Sequence, residues 1–538
     1  MFFFYVKPTL CWVGFIFHVF MTTIVYTYTN VWLVWHQILI EADANRSLPT
    51  LDIIWLPDTA VKESRERIRM TLKNCDIQLP PKKIVINLAP SNVRKQWTRY
   101  DLPMAVAILA LVYDIPDKKR ELMSNMLFFW ELWLDGSVKE VLGLLPSILS
   151  AYKKWWKHIV VPASQVKQFS CIPDLKIYPI TNFLQVVDYI TKDISLPCVS
   201  TWQKMSISNS SVKHTISSNF SAVIWHELLK RALTIAAAGM HNVLLVWPPW
   251  SWKTMLAKAL RSILPPLPFT WVLEVSQLYS LVGKLWKWLH DIRPYRTVHH
   301  TASKVSIVWG GKLLSPWEIS LAHQWVLFFD ELAEFPREVL EVLRQPLEDK
   351  IITISRAQWS VAYPASFMFV ATMNPCKCWF YMDREKSCSC SLHEVKRYQS
   401  KISGPLLDRF DMIVEVPRIS LDKILNSESA VLPSVSSEEM YKDVLWARWK
   451  QSQRYKKLDL SLNAHLSAQD LDVYAPLTPE IHSFVQKSIE NLHLSPRAIH
   501  RVVRLSRTIA DLAWSENICK THIAEALQYR TRHVFKHF

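Results

Sequence analysis

Two residues that could bind a nucleotide phosphate, Lys253 and Thr254, follow the apolar run VLLV (243–246) and open the helical pattern TMLAKALRSIL. Lysine before threonine in this setting ends a phosphate-binding loop, G-x-x-x-x-G-K-[ST], in which the lysine reaches the β- and γ-phosphates and the hydroxyl holds Mg²⁺. The N-terminus of the following helix favours negative charge. The pattern predicts a nucleotide site formed by Trp247, Pro248, Pro249, Trp250, Ser251, Trp252, Lys253 and Thr254.

This loop carries tryptophan at both positions where the motif requires glycine, Trp247 and Trp252, and again at Trp250. Glycine is needed because the backbone adopts positive φ and approaches the phosphates closely, which a Cβ prevents. Three indoles, each with about 150–250 Å² of surface, would fill the site. With real tryptophans the loop therefore predicts no nucleotide binding. Two explanations stay open: an inactive apolar loop, or tryptophans that stand for glycine.

An acidic pair, Asp330 and Glu331, ends a second apolar run, WVLFFDE (325–331). Such pairs are common on protein surfaces, but this one lies about 75 residues after the predicted phosphate loop. That spacing favours a catalytic interpretation in which Asp330 helps Thr254 to hold Mg²⁺, usually through water, and Glu331 polarises the attacking water.

Four cysteines lie close together in the sequence as two C-x-C pairs: Cys376, Cys378, Cys388 and Cys390. Four thiolates on one loop could hold a structural zinc ion in a tetrahedral site. The C-x-C pairs are tighter than the usual C-x₂₋₄-C, so buried free thiols remain the alternative. Adjacent histidines in RPYRTVHHTAS (293–303) have no carboxylate ligands nearby in the sequence, and we interpret that segment as a pore-facing or intersubunit loop.

The composition of the 538-residue chain, with 50% hydrophobic and 20% charged residues, excludes a disordered protein and an array of charged helices. The formal net charge of +16 favours a polyanionic partner such as nucleic acid. Nine cysteines are too few for a disulfide scaffold of this length, and their clustering indicates a reducing compartment. The apolar stretch at 10–26 is short for a spanning helix.

Periodicity divides the chain into two folded parts. Strand patterns from Met21, a helical pattern at 61–75, a strand at 82–90 and a buried helix at 102–113 predict an α+β domain over 21–193. After a polar linker at 194–221, apolar strands alternate with helices over 222–419, which predicts a parallel α/β sheet. A second polar linker at 420–440 precedes a helical region at 441–538.

A set of sequence blocks, in this order, resembles one family: the Mg-chelatase-like AAA+ ATPases, in the ComM/YifB branch. The resemblance runs from about Met21 to the C-terminus. It depends on blocks that include IIWLPDTAVKESRERIR (53–69), RYDLP (99–103), RALTIAAAGMHNVLLV (231–246), MNPCKC (373–378), SGPLLDRFD (403–411) and SPRAIHRVVRLSRTIADLA (495–513).

The resemblance implies a fold of three parts: a Lon-protease-like N-terminal domain, an AAA+ P-loop motor domain and a C-terminal helical lid. The first domain is expected to be noncatalytic, because RYDLPMAVAIL (99–109) has Asp-Leu-Pro where a serine turn would stand. The resemblance also implies roles for four residues: Asn374 as the sensor that orients the lytic water, Arg409 as the arginine finger, Arg497 as the lid sensor, and Lys312 as a DNA-backbone contact in a pore hairpin.

The family pattern has glycine where this chain has tryptophan at many positions. The chain holds 25 Trp and only 8 Gly, together about 6% of the residues, close to an ordinary glycine content. Random decay would scatter many residue types, so we expect UGA codons that the cell reads as glycine. The positions are Trp55, Trp97, Trp130, Trp225, Trp247, Trp250, Trp252, Trp317, Trp325, Trp379 and Trp514.

These observations predict a ring-forming, ATP-hydrolysing motor that acts on DNA, of the branch-migration helicase type. We expect ATP and Mg²⁺ as cofactors, a hexameric homo-oligomer, a cytoplasmic location and no stable membrane association. Two rivals stay open: a magnesium-chelatase-like motor subunit, and an ATPase-dead scaffold or pseudogene product if the tryptophans are real. Residues 1–20 have no counterpart in the family, and we expect translation to start at Met21.

Overall fold

A computed structural model provides the structure of the chain. The predicted phosphate loop, Lys312 and the leader 1–20 lie outside the residues that the structure describes. The chain divides into two compact units, Met1–Lys204 and Met205–Phe538. Within the described part of the chain, no helix is both long and apolar enough to cross a membrane. The described residues are 23–31, 34–54, 59–90, 100–129, 131–169, 172–192, 194–201, 220, 227–246, 259–285, 289, 295–301, 318–356, 359–381, 383, 386–416, 435–456, 462–492 and 495–530.

The first unit is built on a mixed eight-stranded sheet in the order β3-β4-β2-β1-β5-β6-β7-β8. The strands are β1 (Thr23–Val31), β2 (Val34–Asn45), β3 (Leu51–Ile54), β4 (Lys83–Ala89), β5 (Met126–Phe128), β6 (His158–Pro162), β7 (Leu175–Ile180) and β8 (Val199–Thr201). The helices are α1 (Thr59–Asn74), α2 (Asp101–Val112), α3 (Asp117–Ser124), α4 (Leu144–Lys153) and α5 (Leu184–Thr191), with a 3₁₀ helix at Ala163–Phe169. The strands and helices predicted up to residue 113 are confirmed.

Alternation explains why β4 forms a half-buried strand. Ile84, Ile86 and Leu88 point into the core, and the residues between them are partly exposed. Helix α2 is buried along most of its length, from Asp101 to Ala110, because nearly all of its side chains are apolar. Both elements contribute to one core of this unit.

The one charge at the start of α2, Asp101, is buried and paired. Its carboxylate accepts a hydrogen bond from Arg67 Nε at 2.9 Å, which joins α1 to α2. Burial raises the pKa of Asp101 to about 6, although the Arg67 guanidinium lowers it. Asp101 therefore links two helices inside the core of the first unit.

The second unit is built on a five-stranded sheet in the order β10-β11-β14-β9-β15, with every pair parallel. Strands β11 and β14 are buried throughout, as near-continuous apolar runs between covered faces should be. The predicted parallel α/β sheet is confirmed. Its strands are β9 (Val243–Val246), β10 (Tyr295–Val298), β11 (Trp325–Phe329), β14 (Phe367–Met373) and β15 (Met412–Glu415), and a separate hairpin joins β12 (Ile351–Arg356) and β13 (Trp359–Pro364).

One sequence prediction in this unit is wrong. The segment RPYRTVHHTAS was interpreted as a loop, but Tyr295–Val298 forms the edge strand β10, paired with β11. An edge strand is exposed on one side, so it lacks the long apolar run by which the buried strands are recognised. The adjacent histidines follow this strand at the end of the sheet.

The helices of the second unit cover its sheet and form its C-terminal region. Those up to residue 416 are α6 (Glu227–Gly239), α7 (Phe269–Leu281), α8 (Glu318–Leu321), α9 (Arg337–Val342), α10 (Arg344–Asp349), α11 (Leu392–Gln399) and α12 (Gly404–Leu407), with a 3₁₀ turn at Leu332–Glu334. Those that follow are α13 (Ser437–Arg454), α14 (Ala468–Tyr474), α15 (Pro479–Leu492), α16 (Pro496–Leu512) and α17 (Lys520–Gln528), with a 3₁₀ turn at Asn463–His465. The predicted helical C-terminal region is confirmed for its described residues.

Helix α13 begins inside the segment predicted as the second linker. Ser436 caps it through a capping box with Glu439, so the helix can start as soon as the polar stretch ends. Helices α13 and α16 share a hydrophobic core with α6 of the sheet layer. The C-terminal helices are thus packed onto the α/β layer of this unit.

Candidate functional site

Three candidate residues of the second unit, Asp330, Glu331 and Asn374, follow strands at the carboxyl edge of its sheet. Strand β9 ends at Val246, in register with Met373 of β14, and Phe329 of β11 is in register with Ala371. Because all these strands are parallel, the residues that follow them leave the sheet on the same side. Asp330 and Asn374 therefore lie at the edge where the predicted phosphate loop begins.

Thr372 connects the two acidic positions at this edge. Its hydroxyl donates to Asp330 Oδ1 at 2.5 Å and accepts from the Glu331 backbone N–H at 3.2 Å. Thr372 itself is fully buried. Sequence reasoning missed this residue. The available signal was a lone hydroxyl near the carboxyl end of an otherwise apolar strand.

Glu331 has an unusual backbone conformation and a partly exposed side chain. Its φ of +55° lies in the left-handed region, which residues other than glycine rarely adopt. The carboxylate lies 3.7 Å from Nδ1 of His300, which follows the edge strand β10. Asn374, at the end of β14, is buried. The edge thus presents one carboxylate that accepts a hydrogen bond from Thr372, at Asp330, and a second, at Glu331, whose side chain is 42% exposed.

The two predicted arginines meet at one carboxylate of their own chain, Glu348. The Arg409 guanidinium binds Glu348 and also donates to the backbone oxygens of Arg344 and Pro405, at 3.1 and 2.8 Å. Arg497 Nη2 lies 3.5 Å from the other oxygen of Glu348. Arg409 is buried, whereas the Arg497 side chain is 71% exposed. Glu348 was missed by sequence reasoning.

Beside Arg409, the buried carboxylate Asp411 fastens helix α16 to the sheet. It accepts hydrogen bonds from the Asn242 backbone N–H at 2.9 Å and from Arg501 at 3.0 Å. Complete burial opposes ionisation, but Arg501 and His241 hold the pKa of Asp411 well below its usual range. This carboxylate stays ionised and has a structural role.

The four cysteines that follow Asn374 converge in space. Their sulfur atoms all lie within 4.8 Å of one another, although Cys376 and Cys390 are separated in sequence by a loop. Cys376 is buried and the other three are partly exposed. Burial raises the pKa of Cys376, whereas hydrogen bonds from the Phe380 backbone and from neighbouring side chains outweigh burial and lower that of Cys378 to about 5. The group has the composition of a metal-binding site.

Several tryptophans occupy backbone conformations that favour glycine. Trp379 and Trp514, both expected from the resemblance to stand for glycine, have φ of +76° and +61°. A third, Trp155, has φ of +71°. Trp325 lies buried in β11. The remaining expected positions, Trp55, Trp97, Trp130, Trp225, Trp247, Trp250, Trp252 and Trp317, lie outside the described residues, as do Pro248, Pro249, Ser251, Lys253, Thr254 and Lys312.

Comparison with known proteins matches nearly the whole chain. The family described as magnesium chelatase, subunit ChlI, matches residues 219–424, a second description of subunit ChlI matches 40–165, and the ChlI C-terminal family matches 434–530. The chain is 36% identical over 510 residues to competence protein ComM of Haemophilus influenzae, covering 94% of this chain and 97% of ComM.

A second relative gives the same result. The chain is 35% identical over 503 residues to the uncharacterized protein YifB of Escherichia coli, covering 92% of this chain and 94% of YifB. The parallel sheet described above is consistent with the fold of these proteins. The chain belongs to the magnesium-chelatase ChlI-like family of AAA+-like ATPases, in the group that contains ComM and YifB.

Proposed function

We propose that the protein is an ATP-hydrolysing motor that acts on DNA as a hexameric ring in the cytoplasm, of the branch-migration helicase type. The observation that carries the ATPase part is the joint placement of Asp330, Thr372 and Glu331 beside the end of β9. In this proposal residues 21–193 form a noncatalytic Lon-protease-like domain and 441–538 form a helical lid. Both cofactors, ATP and Mg²⁺, are those of the family.

The residues at the sheet edge fit a magnesium nucleotide. Asp330, oriented by the Thr372 hydroxyl, would bind Mg²⁺ together with Thr254, and Lys253 would contact the phosphates. Glu331 would polarise the attacking water and Asn374 would orient it. ATP supplies the phosphoanhydride bond whose hydrolysis drives movement. The proposal also includes a structural zinc ion held by Cys376, Cys378, Cys388 and Cys390.

The proposal requires glycine in the phosphate loop, and the backbone elsewhere supports that requirement. Trp155 and Trp514 each follow a helix at the position where a left-handed residue closes a Schellman motif. In the first case Trp155 N–H donates to Tyr152 O and Trp156 N–H donates to Ala151 O, at 3.0 and 3.2 Å. Glycine is the usual residue at this position because it has no Cβ. We therefore propose that Trp247, Trp250 and Trp252 are glycine in the native protein.

The net charge of the chain and its similarity to ComM support the DNA part of the proposal. The net charge of +16 suits contacts with the phosphate backbone that release counterions. One relative, ComM, is named as a competence protein. Arg409 would act as an arginine finger toward a neighbouring subunit, Arg497 as the lid sensor, and Lys312 as a contact to the DNA backbone.

The experiment that tests this function measures ATP hydrolysis with and without DNA. The chain is expressed with glycine at 247, 250 and 252, and branched, duplex and single-stranded DNA are compared at several salt concentrations. We expect stimulation by DNA that falls steeply as salt rises, because counterions compete for the phosphates. Lys312→Ala should weaken DNA binding across all sequences. Hydrolysis that responds to no DNA structure at any salt would instead favour the magnesium-chelatase-like motor.

A control uses the same chain with tryptophan retained in the loop. It should neither bind nor hydrolyse ATP, because three indoles occupy the phosphate site. The mass of peptides from the native protein provides a separate check. Tryptophan masses at 247, 250 and 252 in a protein that hydrolyses ATP would contradict the proposal.

A further inference from the structure

We infer that the four cysteines bind a zinc ion that joins the carboxyl end of β14, where Asn374 lies, to helix α11. This link positions Asn374 for hydrolysis. The zinc site depends only on the geometry of the cluster. Its effect on hydrolysis rests on the proposed function. The two parts are therefore tested by different measurements.

The sulfur positions match a single tetrahedral ion. Sγ of Cys378 lies 3.3 Å from Sγ of both Cys376 and Cys388, and the remaining pair of these three is separated by 3.7 Å. Zinc–sulfur bonds of about 2.3 Å in a tetrahedron place sulfurs about 3.8 Å apart. A disulfide would require about 2.05 Å. The three separations, 3.3–3.7 Å, are far longer than a disulfide bond and slightly shorter than the sulfur spacing around one zinc ion, so a small outward shift of Cys378 would accommodate the metal.

The loop backbone turns sharply directly after Cys378. The Trp379 N–H donates to Cys376 O at 3.2 Å, and Trp379 has φ of +76°, in the left-handed region. A left-handed residue directly after the second cysteine therefore shapes the ligand loop.

The ligand set also limits the metal. Sulfur is the only donor among the four clustered residues, and four thiolates select zinc or iron–sulfur chemistry. An iron–sulfur cluster interposes several atoms between its ligands, whereas these sulfurs lie within 4.8 Å of one another. A single zinc ion fits this space best.

The cluster lies between Asn374 and the start of helix α11. Cys376 is two residues beyond Asn374, and Cys390 directly precedes Ser391, the N-cap of α11. At the other end of that helix, Gln399 Nε2 donates to Pro375 O at 3.0 Å. A metal that closes the loop between the two cysteine pairs would therefore hold both ends of this segment together.

Helix α11 in turn contacts the segment that follows Glu331. Lys401, just beyond the helix, lies 3.4 Å from the Glu334 carboxylate and 5.5 Å from the ring centroid of the buried Tyr398. The path from the metal ligands to the acidic segment is thus made of packed side chains. Losing the metal should loosen Asn374 and leave the phosphate loop untouched.

Metal analysis of the full-length chain, purified without chelator, tests the site. We expect one zinc ion per chain in the parent and nearly none in Cys376→Ser or Cys388→Ser. Cys519→Ser, which changes an exposed cysteine away from the cluster, should keep its zinc. Cobalt exchanged into the parent should give the charge-transfer and d–d bands of tetrahedral thiolate coordination, a measurement that needs no variant to fold. Zinc retained in both serine variants, iron in the parent, or no metal uptake would overturn the site.

Hydrogen exchange and kinetics test the role. Chelation of zinc from the parent should speed amide exchange in a peptide covering 370–376, whether or not ATP is hydrolysed. In the chain with glycine at 247, 250 and 252, zinc loss should lower kcat about tenfold or more and leave KM for ATP within about twofold. Unchanged exchange, or a parental kcat without zinc, would overturn the positioning role. Absence of ATPase activity in the zinc-loaded chain with glycine at 247, 250 and 252 would count against the proposed function alone.

Discussion

At the scale of single residues, Thr372 determines how the two carboxylates of the sheet edge are presented. It is buried, and its one hydroxyl serves both Asp330 and the backbone of Glu331. Outer partners of this kind orient metal ligands, and their loss typically costs 10–100-fold in affinity or activity. Thr372 acts through Asp330 and through the backbone of Glu331, so we treat it as a positioning residue.

Replacing Thr372 by valine should separate orientation from folding. In the chain with glycine at 247, 250 and 252, we expect Thr372→Val to reduce kcat about 10–100-fold and to raise the Mg²⁺ concentration needed for half-maximal rate. Thr372→Ser keeps the hydroxyl and should retain most of the activity. Steady-state kinetics against Mg²⁺ concentration make the measurement. Equal activity of the valine and serine variants would show that the hydrogen bonds do not matter.

Substitutions of Glu331 and Lys253 should affect different steps, hydrolysis in the first case and ATP binding in the second. In the same glycine-containing chain, Glu331→Gln should still bind ATP and lose nearly all hydrolysis, because the water loses its polarising carboxylate. Lys253→Ala should weaken binding itself, since a phosphate contact is removed. Nucleotide binding and phosphate release are measured separately. Parental hydrolysis by Glu331→Gln would show that the catalytic carboxylate lies elsewhere.

At the scale of elements, the end of helix α4 contrasts two adjacent tryptophans. Trp155 has φ of +71° and is 86% exposed, whereas Trp156 packs on Tyr26 with ring centroids 5.4 Å apart. The backbone of the first therefore disfavours a side chain, and the packing of the second requires one. Only the first has the conformation expected of a glycine.

Glycine substitutions at these two positions should change the free energy of unfolding in opposite directions. Trp155→Gly should raise the free energy of unfolding by about 1 kcal/mol, because a left-handed residue no longer carries a Cβ. Trp156→Gly should lower it by about 1 kcal/mol or more, since an aromatic contact is lost. Denaturant titration of each variant measures both values. A destabilising Trp155→Gly would contradict the assignment of that position to glycine.

The junction of α1 and α2 should give the first unit a characteristic pH dependence. The pKa of Asp101 is raised from 3.8 to about 6 in the folded chain, so the folded state binds the proton more tightly than the unfolded state. Its contribution to stability is greatest below pH 3.8 and falls as the pH rises to about 6. Asn at position 101 cannot titrate, so Asp101→Asn lacks this pH-dependent contribution to the free energy of unfolding.

We therefore compare unfolding of the parent and of Asp101→Asn across this range. Relative to the variant, the parent should lose up to about 3 kcal/mol of unfolding free energy between pH 4 and 6.5. Taking the difference cancels the other carboxylates. Parallel pH profiles for the two chains would show that the Asp101 pKa is not raised.

At the scale of the whole molecule, the internal contacts of Arg409 conflict with a role in contacting a neighbouring subunit. Its guanidinium is buried and bound to Glu348 and to two backbone oxygens of its own chain. An arginine finger must instead reach a neighbouring subunit's nucleotide. If Arg409 has that role, assembly must compete with these internal contacts.

Mixed rings can decide whether Arg409 acts across subunits. In the glycine-containing chain, Arg409→Ala and Glu331→Gln should each be nearly inactive alone. An equimolar mixture should recover part of the hydrolysis, because some interfaces pair an intact Glu331 with an intact Arg409. Thermal unfolding of Arg409→Ala serves as the folding control. No recovery from two folded variants would assign Arg409 a purely structural role.

Several features of this protein followed from the sequence alone. The parallel sheet of the second unit and the helices after it could be predicted because apolar runs and helical periodicity are local properties. The strands and helices before residue 113 followed for the same reason. The family could be identified because its blocks recur in one order along the chain. The left-handed tryptophans at 379 and 514 coincide with positions already expected to be glycine.

Other features depend on contacts between residues that are distant in the sequence. Thr372 meets Asp330 across 42 residues because two parallel strands lie in one register, which no local pattern reports. Arg409 and Arg497 both bind Glu348, which is distant from each of them in the sequence. The edge strand β10 has too few apolar residues to be recognised as a strand from its sequence. The convergence of the four sulfurs required a turned loop. The sequence determined which groups could take part in catalysis, and tertiary packing decided which of them meet, because register and loop closure set distances that spacing along the chain leaves free.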